Sequence, residues 1–309
     1  MTSTKKRVSE PADGGHPYKI PRLYHYTSME SALKIVESQT LLMSDRESFN
    51  DPFDCRVPFA HSDQINSIIE GIKLCIRQVV GGLPCRYADK KYFQVLIESF
   101  PHLLKQNPPK FNADFDENLR GWVEKNLEKT TPGLQKIAEI MGSSAVLVSF
   151  GTSERNISLW GHYGRLHTGV AIEFEFPFEH WDKDLYRIEY MQKEPNWLDA
   201  QQWCDLLFRY DEVKNILESA SFLRKSFTLK SSDWEKEQEV RFVRFRDDFS
   251  TERPKMLLNK GEMAGVFIGL KADPTLASIL TQVCQNKEIP VSRMELDPEK
   301  FTVRPVQAN

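Results

Sequence analysis

Trp234-Glu-Lys-Glu-Gln-Glu-Val-Arg-Phe-Val-Arg-Phe245 is the stretch from which the fold is read. From Glu237 onward, Glu237, Glu239, Arg241, Val243 and Phe245 fall on one side and Gln238, Val240, Phe242 and Arg244 on the other. A period of two predicts a strand. Two carboxylates then point the same way, with a guanidinium next in the row. Like charges repel, so a partly dry site would raise the pKa of at least one of them. Such a pair suits a site that stabilises a cation. The alternative is a charged edge strand that discourages aggregation.

Working outward, further strands are expected at Pro21–Tyr26, Leu41–Met43, Ser144–Phe150, Val170–Phe176, Leu185–Met191 and Gly265–Leu270, with two closing strands near Pro290–Leu296 and Phe301–Val306. Thr27-Ser-Met-Glu30 reads as a capping box before Ala32, Leu33, Ile35 and Val36 at helical spacing. Ile65, Ile68, Ile69, Ile72 and Ile76 keep one helical face until Gly81-Gly82 and Pro84. Helices are also expected over Tyr92–Leu104, Leu119–Leu127, most of Trp197–Leu229, and after Asp273 as cap with Pro274 at the first position. The expectation is a single α+β domain over residues 18–309, a mixed, split β-sheet core with a helical insertion at about 61–141. Residues 1–17 are polar and read as a disordered lead-in.

The 309 residues are 40% hydrophobic and 28% charged. That is enough for a substantial core. A net charge of −3 gives no general attraction to nucleic acid or anionic membrane. Five scattered cysteines without a CxxC pair suit a reducing cytoplasm and argue against a disulfide framework or a cysteine-bound zinc. No apolar run approaches the ~20 residues of a membrane helix. No GxGxxG, Walker loop or HExxH is present.

His25 lies near the end of the first expected strand, before a helix N-terminus, where polar ligands are often held. Asn50-Asp51-Pro52 reads as a turn bracketed by Phe49 and Phe53. Phe49, Pro52 and Phe53 are expected to be largely buried beside the site, since burying each ring is worth ~2 kcal/mol. Asp51 and Asp54 read as structural, and no metal is expected. In Trp160-Gly-His-Tyr-Gly-Arg-Leu-His-Thr-Gly169, Trp160 reads as core, while His162, Tyr163 and His167 suit a platform for a flat ligand. His162 and His167 stand five apart, which does not suit one helical face.

Ser48-Phe-Asn-Asp-Pro-Phe-Asp54, Ser149-Phe150, Trp160–Gly169 and Trp234-x-x-Glu-x-Glu-x-Arg241 together resemble the signature of a widespread bacterial family of unknown function. The resemblance covers about residues 21–306 and supplies no activity. A weaker resemblance is to the ADP-ribosyltransferase fold. Leu23-Tyr-His-Tyr-Thr-Ser28 is similar to its first element and Glu237-x-Glu239 to its last. This resemblance implies NAD as substrate, with His25, Tyr26, Thr27, His162 and Tyr163 holding it. Glu239 would stabilise an oxocarbenium-like transition state and Glu237 would position or activate the acceptor. Arg241 departs from that pattern: it would soften the negative field if it reached the pair, or would instead bind a phosphate or the acceptor. The implied function is NAD-consuming ADP-ribosyl transfer or NAD hydrolysis, as a bacterial toxin or defence effector, with an unidentified macromolecular acceptor. The alternatives are a non-catalytic ligand- or protein-binding module on the same fold, and a hydrolase or nuclease built on His25, His162, His167 and Asp51. The enzyme reading requires His25, Tyr163 and Glu239 to line one cleft.

Overall fold

The structure, a computed structural model, describes residues 21–57, 59, 62–101, 105, 109–193, 195–209, 220–246 and 254–307. Residues 1–17 and the part of Trp197–Leu229 between 210 and 219 lie outside them. The chain forms a mixed α and β structure with several sheets in two compact units. One comprises residues 1–33, 152–183 and 259–309, the other residues 34–151 and 184–258.

The first unit is built on a five-stranded sheet. Its order is Leu23–Thr27, Val170–Phe174, Met263–Ile268, Val291–Leu296 and Val303–Gln307. Neighbours are antiparallel except Met263–Ile268 beside Val291–Leu296. That parallel pair is joined by the helix Pro274–Asn286, as parallel strands require a crossover. Asp273 caps this helix by accepting from the Thr275 and Leu276 amides, with Pro274 at the first turn as expected. Alternation gives the sheet two sides. Tyr24, Tyr26, Ala171 and Met294 lie on the side that packs against Leu159 and Trp160.

The second unit pairs Ser44–Asp45, Ala145–Phe150, Val240–Phe245 and Leu185–Arg187 in an antiparallel sheet, in that order. Glu189–Met191 pairs instead with Leu229–Ser231, so the expected strand Leu185–Met191 is divided between two sheets. The helices Ile65–Val80, Lys91–Glu98, Ala113–Ser144 and Ala200–Phe208 surround one apolar core containing Ile68, Ile72, Phe93, Phe115, Leu119, Trp203 and Phe208. The isoleucine spacing of the first of these is matched by buried Ile65, Ile68, Ile69, Ile72 and Ile76. Asn112 caps the long helix Ala113–Ser144, which continues through Pro132. Thr130 and Thr131 hydroxyls there donate to the carbonyls of Asn126 and Leu127, beside the break in the backbone ladder that a proline makes.

Two local expectations change. The helix after the first strand begins at Met29, and Ser28 rather than Thr27 supplies the cap oxygen, accepting from the Ser31 amide at 3.2 Å. The strand expected from Glu237 begins at Val240. Ser232–Glu237 forms a 3₁₀ turn, closed by Gln238 in the left-handed region at φ 48°. Asp233, Glu235 and Glu237 stand at every second position, as they would on a strand, and no side chain signals the left-handed step.

Candidate functional site

Glu237 and Glu239 converge, though not by strand alternation. The left-handed turn at Gln238 brings both carboxylates onto one ammonium: Lys230 Nζ lies 2.8 Å from Glu237 Oε2 and 3.0 Å from Glu239 Oε2. Lys230 comes from the short strand Leu229–Ser231, and the Trp234 ring lies 5.1 Å from its ammonium.

Arg241 is the centre of this network and its side chain is 1% exposed. Its Nε donates to Glu239 Oε1 at 2.7 Å and its Nη2 to Glu239 Oε2 at 3.0 Å. On the other side, Nη1 and Nη2 donate to Asp54 Oδ1 and Oδ2 at 2.8 and 2.5 Å. Nη1 also donates to the Phe227 carbonyl at 3.0 Å. A guanidinium has five N–H donors, and all five are used. Two bidentate pairs of this kind are geometrically specific and strong.

Glu239 is as fully engaged. Arg241 donates to both its oxygens, Lys230 to one, and the Ser149 hydroxyl also bonds it. These donors account for the roughly four lone-pair positions of a carboxylate. Its side chain is 6% exposed. Burial acts to raise its pKa, but Arg241 and then Lys230 and Ser149 outweigh burial and lower it to about 2. The rise expected of at least one carboxylate of the pair is not found at Glu239, because the guanidinium touches it directly. Burial likewise acts to lower the Lys230 pKa, but Glu239, Glu237 and Asp54 raise it above the usual lysine range. The result is three carboxylates and two cations held together in a dry place.

Asp54 belongs to the loop that carries Phe49 and Phe53. Asp51 Oδ1 accepts from the Phe53 amide at 2.9 Å. The Asp51 carbonyl accepts from the Asp54 amide at 3.2 Å. The expected turn is therefore present. Cys55 follows in the left-handed region at φ 54°. The expected burial of this loop is corrected: Phe49 is half-buried against the Cys55, Leu147 and Val243 cluster, Pro52 is exposed, and Phe53 is 63% exposed. Polar bonds at Asp51 and Asp54 fix the loop, so it does not need Phe53 as an apolar anchor.

His25 and Tyr163 belong to the first unit. His25 is the third of five strand residues and half-buried, and alternation puts it on the side of Leu23 and Thr27. Tyr163 packs on the opposite side, with Tyr24, Tyr26 and Trp160. The structure therefore separates two residues that were expected to line one cleft. Tyr26 is buried with its hydroxyl donating to the Ser153 carbonyl at 2.5 Å, and Thr27 is half-buried. Glu237, Glu239 and Arg241 belong to the second unit.

The loop Trp160–Gly169 explains itself from its glycines. Trp160 is fully buried, stacks on His167 at 5.9 Å and donates to the Glu154 carbonyl at 2.7 Å. Arg165, Leu166 and His167 are consecutive left-handed residues at φ 51°, 55° and 69°. Their strain is offset by backbone bonds from the Leu166, His167 and Gly169 amides to the carbonyls of Gly161, Trp160 and Gly164. A Cβ at Gly169 would stand 2.2 Å from the Thr27 carbonyl oxygen, so only glycine permits that approach. His162, Arg165 and Leu166 are exposed at the rim of the loop. Burial, and then Lys271, lower the His167 pKa.

Lys230 and Glu173 were missed in reading the sequence. Lys230 has no local signal, because its partners lie seven, nine and many more residues away. Glu173 had one: it is the lone charge in the apolar run Val170-Ala-Ile-Glu-Phe174. Among the described residues, no group of three or more His, Cys, Asp or Glu could hold a metal ion, and no helix is long and apolar enough to cross a membrane.

Residues 159–242 match the model of a family described as "Protein of unknown function (DUF2971)". The match supports a bacterial-type domain of unknown function. It takes in the Trp160–Gly169 loop, Lys230 and the Glu237–Arg241 segment, but not Ser48–Asp54. No curated protein and no solved structure matches the chain.

Proposed function

We propose that the chain is a non-catalytic recognition module, in which the buried charges fasten the Asn50–Asp54 turn as a presented surface. One observation carries this reading: Arg241 spends all its donors inside the protein, two of them on Asp54. A turn clamped at Asp54 and braced at Asp51 keeps Phe53 in water, with little freedom left to lose on binding. Rigid aromatic side chains are the usual anchors of binding surfaces. The matching partner is a protein or ligand with an apolar recess.

The second reading is NAD-consuming ADP-ribosyl transfer or NAD hydrolysis. It draws support from the ionised state of Glu239, which suits stabilisation of an oxocarbenium-like centre. It requires Glu239 to leave Arg241, Lys230 and Ser149 before meeting a ribose hydroxyl.

Nicotinamide release from NAD, melting temperature and retention of lysate proteins are measured for wild type, Glu239→Gln and Phe53→Ala. Recognition predicts no nicotinamide release and a lowered melting temperature for Glu239→Gln. Phe53→Ala should keep its melting temperature and lose the proteins that wild type retains. Nicotinamide release abolished by Glu239→Gln at unchanged melting temperature would replace recognition with glycosyl transfer.

A further inference from the structure

Three of the five cysteines of the chain come together in the helical part of the second unit. Cys75 lies on the helix Ile65–Val80, and Cys85 follows the end of that helix. The chain reverses between them. The Gly81, Gly82 and Leu83 amides donate back to the carbonyls of Arg77, Val79 and Gln78 at 2.9, 3.1 and 2.7 Å, with Gly82 in the left-handed region at φ 70°. A helix closed in this way sends the chain back beside its own last turns. Cys85 returns with it, and the Cys75 and Cys85 thiols share a hydrogen bond. Both are half-buried against one apolar core. Cys204 is buried against the same helix face: its Sγ donates to the Ile68 carbonyl at 3.8 Å and stands 3.5 Å from where a Cβ at Gly71 would lie.

Cys75 and Cys85 are not equivalent. Cys75 is fixed on the helix, where burial, and then Cys85, push its pKa up to about 12. It therefore keeps its proton. Cys85 lies on the reversal between exposed Pro84 and exposed Arg86, within reach of a small molecule from solvent. A thiolate, not a thiol, opens a disulfide, so the first attack falls to Cys85. A disulfide brings its sulfurs to about 2 Å. The exposed Gly81-Gly82 turn gives Cys85 the backbone freedom to close that last distance.

We propose that Cys75 and Cys85 form a reversible redox pair, closed to a disulfide by exchange with a low-molecular-weight disulfide. The Cys85 thiolate attacks one sulfur of the small disulfide, whose S–S bond breaks, and the released thiolate takes up the proton that Cys85 lost. Cys75 then gives its proton to the second small thiolate as its sulfur displaces that group from Cys85. One small disulfide is consumed, two small thiols are released, and two hydrogens leave the protein. The closed pair staples the reversal to the helix, and with it the segment of Tyr87, whose hydroxyl donates to Asp205 at 2.8 Å. In reducing surroundings both residues stay thiols. The pair is independent of the recognition turn at Phe53.

The folded full chain is incubated with oxidised glutathione, alkylated in denaturant and mapped as peptides. Wild type should lose two of its five alkylatable thiols, recovered as one Cys75–Cys85 cross-linked peptide that dithiothreitol reopens. This result needs no variant to fold. Cys75→Ser should stop at a glutathione adduct on Cys85, Cys85→Ser should give neither cross-link nor adduct at Cys75, and Cys204→Ser should cross-link as wild type does. Oxidised wild type should melt several degrees above the reduced protein, since a loop of about ten residues is closed, and Cys75→Ser should show no such rise. Five free thiols in treated wild type, a cross-link through Cys204, or an adduct left standing on Cys85 of wild type would each overturn the proposal.

Discussion

Arg241 lies at 1% exposure between Asp54 and Glu239, so removing one partner leaves charge stranded in a dry place. Breaking a buried ion pair from one side typically costs about 3–5 kcal/mol. Glu239→Gln should therefore lower stability by about that amount, read as a lower denaturant midpoint at unchanged slope. Relief of repulsion, which the sequence alone would suggest, is outweighed because Lys230 and Arg241 already compensate the pair. Arg241→Lys keeps the charge but cannot reach Asp54 and Glu239 bidentately, so it should also destabilise. The pH dependence has a definite sign. Glu239 titrates near 2 when folded and near 4.5 otherwise, so its contribution is present above about pH 4.5 and drains away as pH falls toward 2. The stability gap between wild type and Glu239→Gln should close over that window in acid-unfolding curves, whereas a gap constant down to pH 2 would exclude this linkage.

Two glycines of the segment Trp160–Gly169 should respond in opposite directions. Gly161→Ala adds a methyl with nothing within 4 Å, in the helix Ile157–His162. It should be neutral or raise stability by about 0.5–1 kcal/mol. Gly169→Ala drives a methyl to 2.2 Å from the Thr27 carbonyl oxygen. It should cost about 3 kcal/mol or more. Melting temperatures of the two variants check both. Strands such as Ala145–Phe150, Val170–Phe174 and Met263–Ile268 were legible because apolar runs between turn signals leave few alternatives. The 3₁₀ turn Ser232–Glu237 was not, since its charges fit a strand equally well. The helix Ala113–Ser144 extends beyond the expected Leu119–Leu127 at both ends and passes through Pro132, which lacks the amide that a helix interior uses. Of the candidate site, the convergence of Glu237 and Glu239 was legible. Their capture by Lys230 and Asp54 was not, because it depends on contacts between residues with no shared local pattern. The exposure of Phe53 was missed for a related reason: aromatic character alone does not reveal that Asp51 and Asp54 anchor the turn.

Neither unit is a continuous piece of chain. The first draws on three segments, and three of its five strands lie after residue 258. Ending the chain at Leu258 removes Met263–Ile268, Val291–Leu296 and Val303–Gln307 together with the helix Pro274–Asn286. The two strands left behind cannot bury a sheet face alone. Such a truncation should lose the tertiary circular-dichroism signal of Trp160, and a truncated chain keeping that signal would contradict the assignment. The same discontinuity sets an order during synthesis. Leu23–Thr27 leaves the ribosome early, but its partner Val170–Phe174 follows more than a hundred residues later. At ~5–20 residues per second the first strand waits on the order of 10 s for its neighbour. Through that interval it is a nascent edge with an unmatched ladder, as is Thr40–Leu42 while it waits for Lys255–Leu257, so both short segments depend on being shielded by chaperones while translation proceeds.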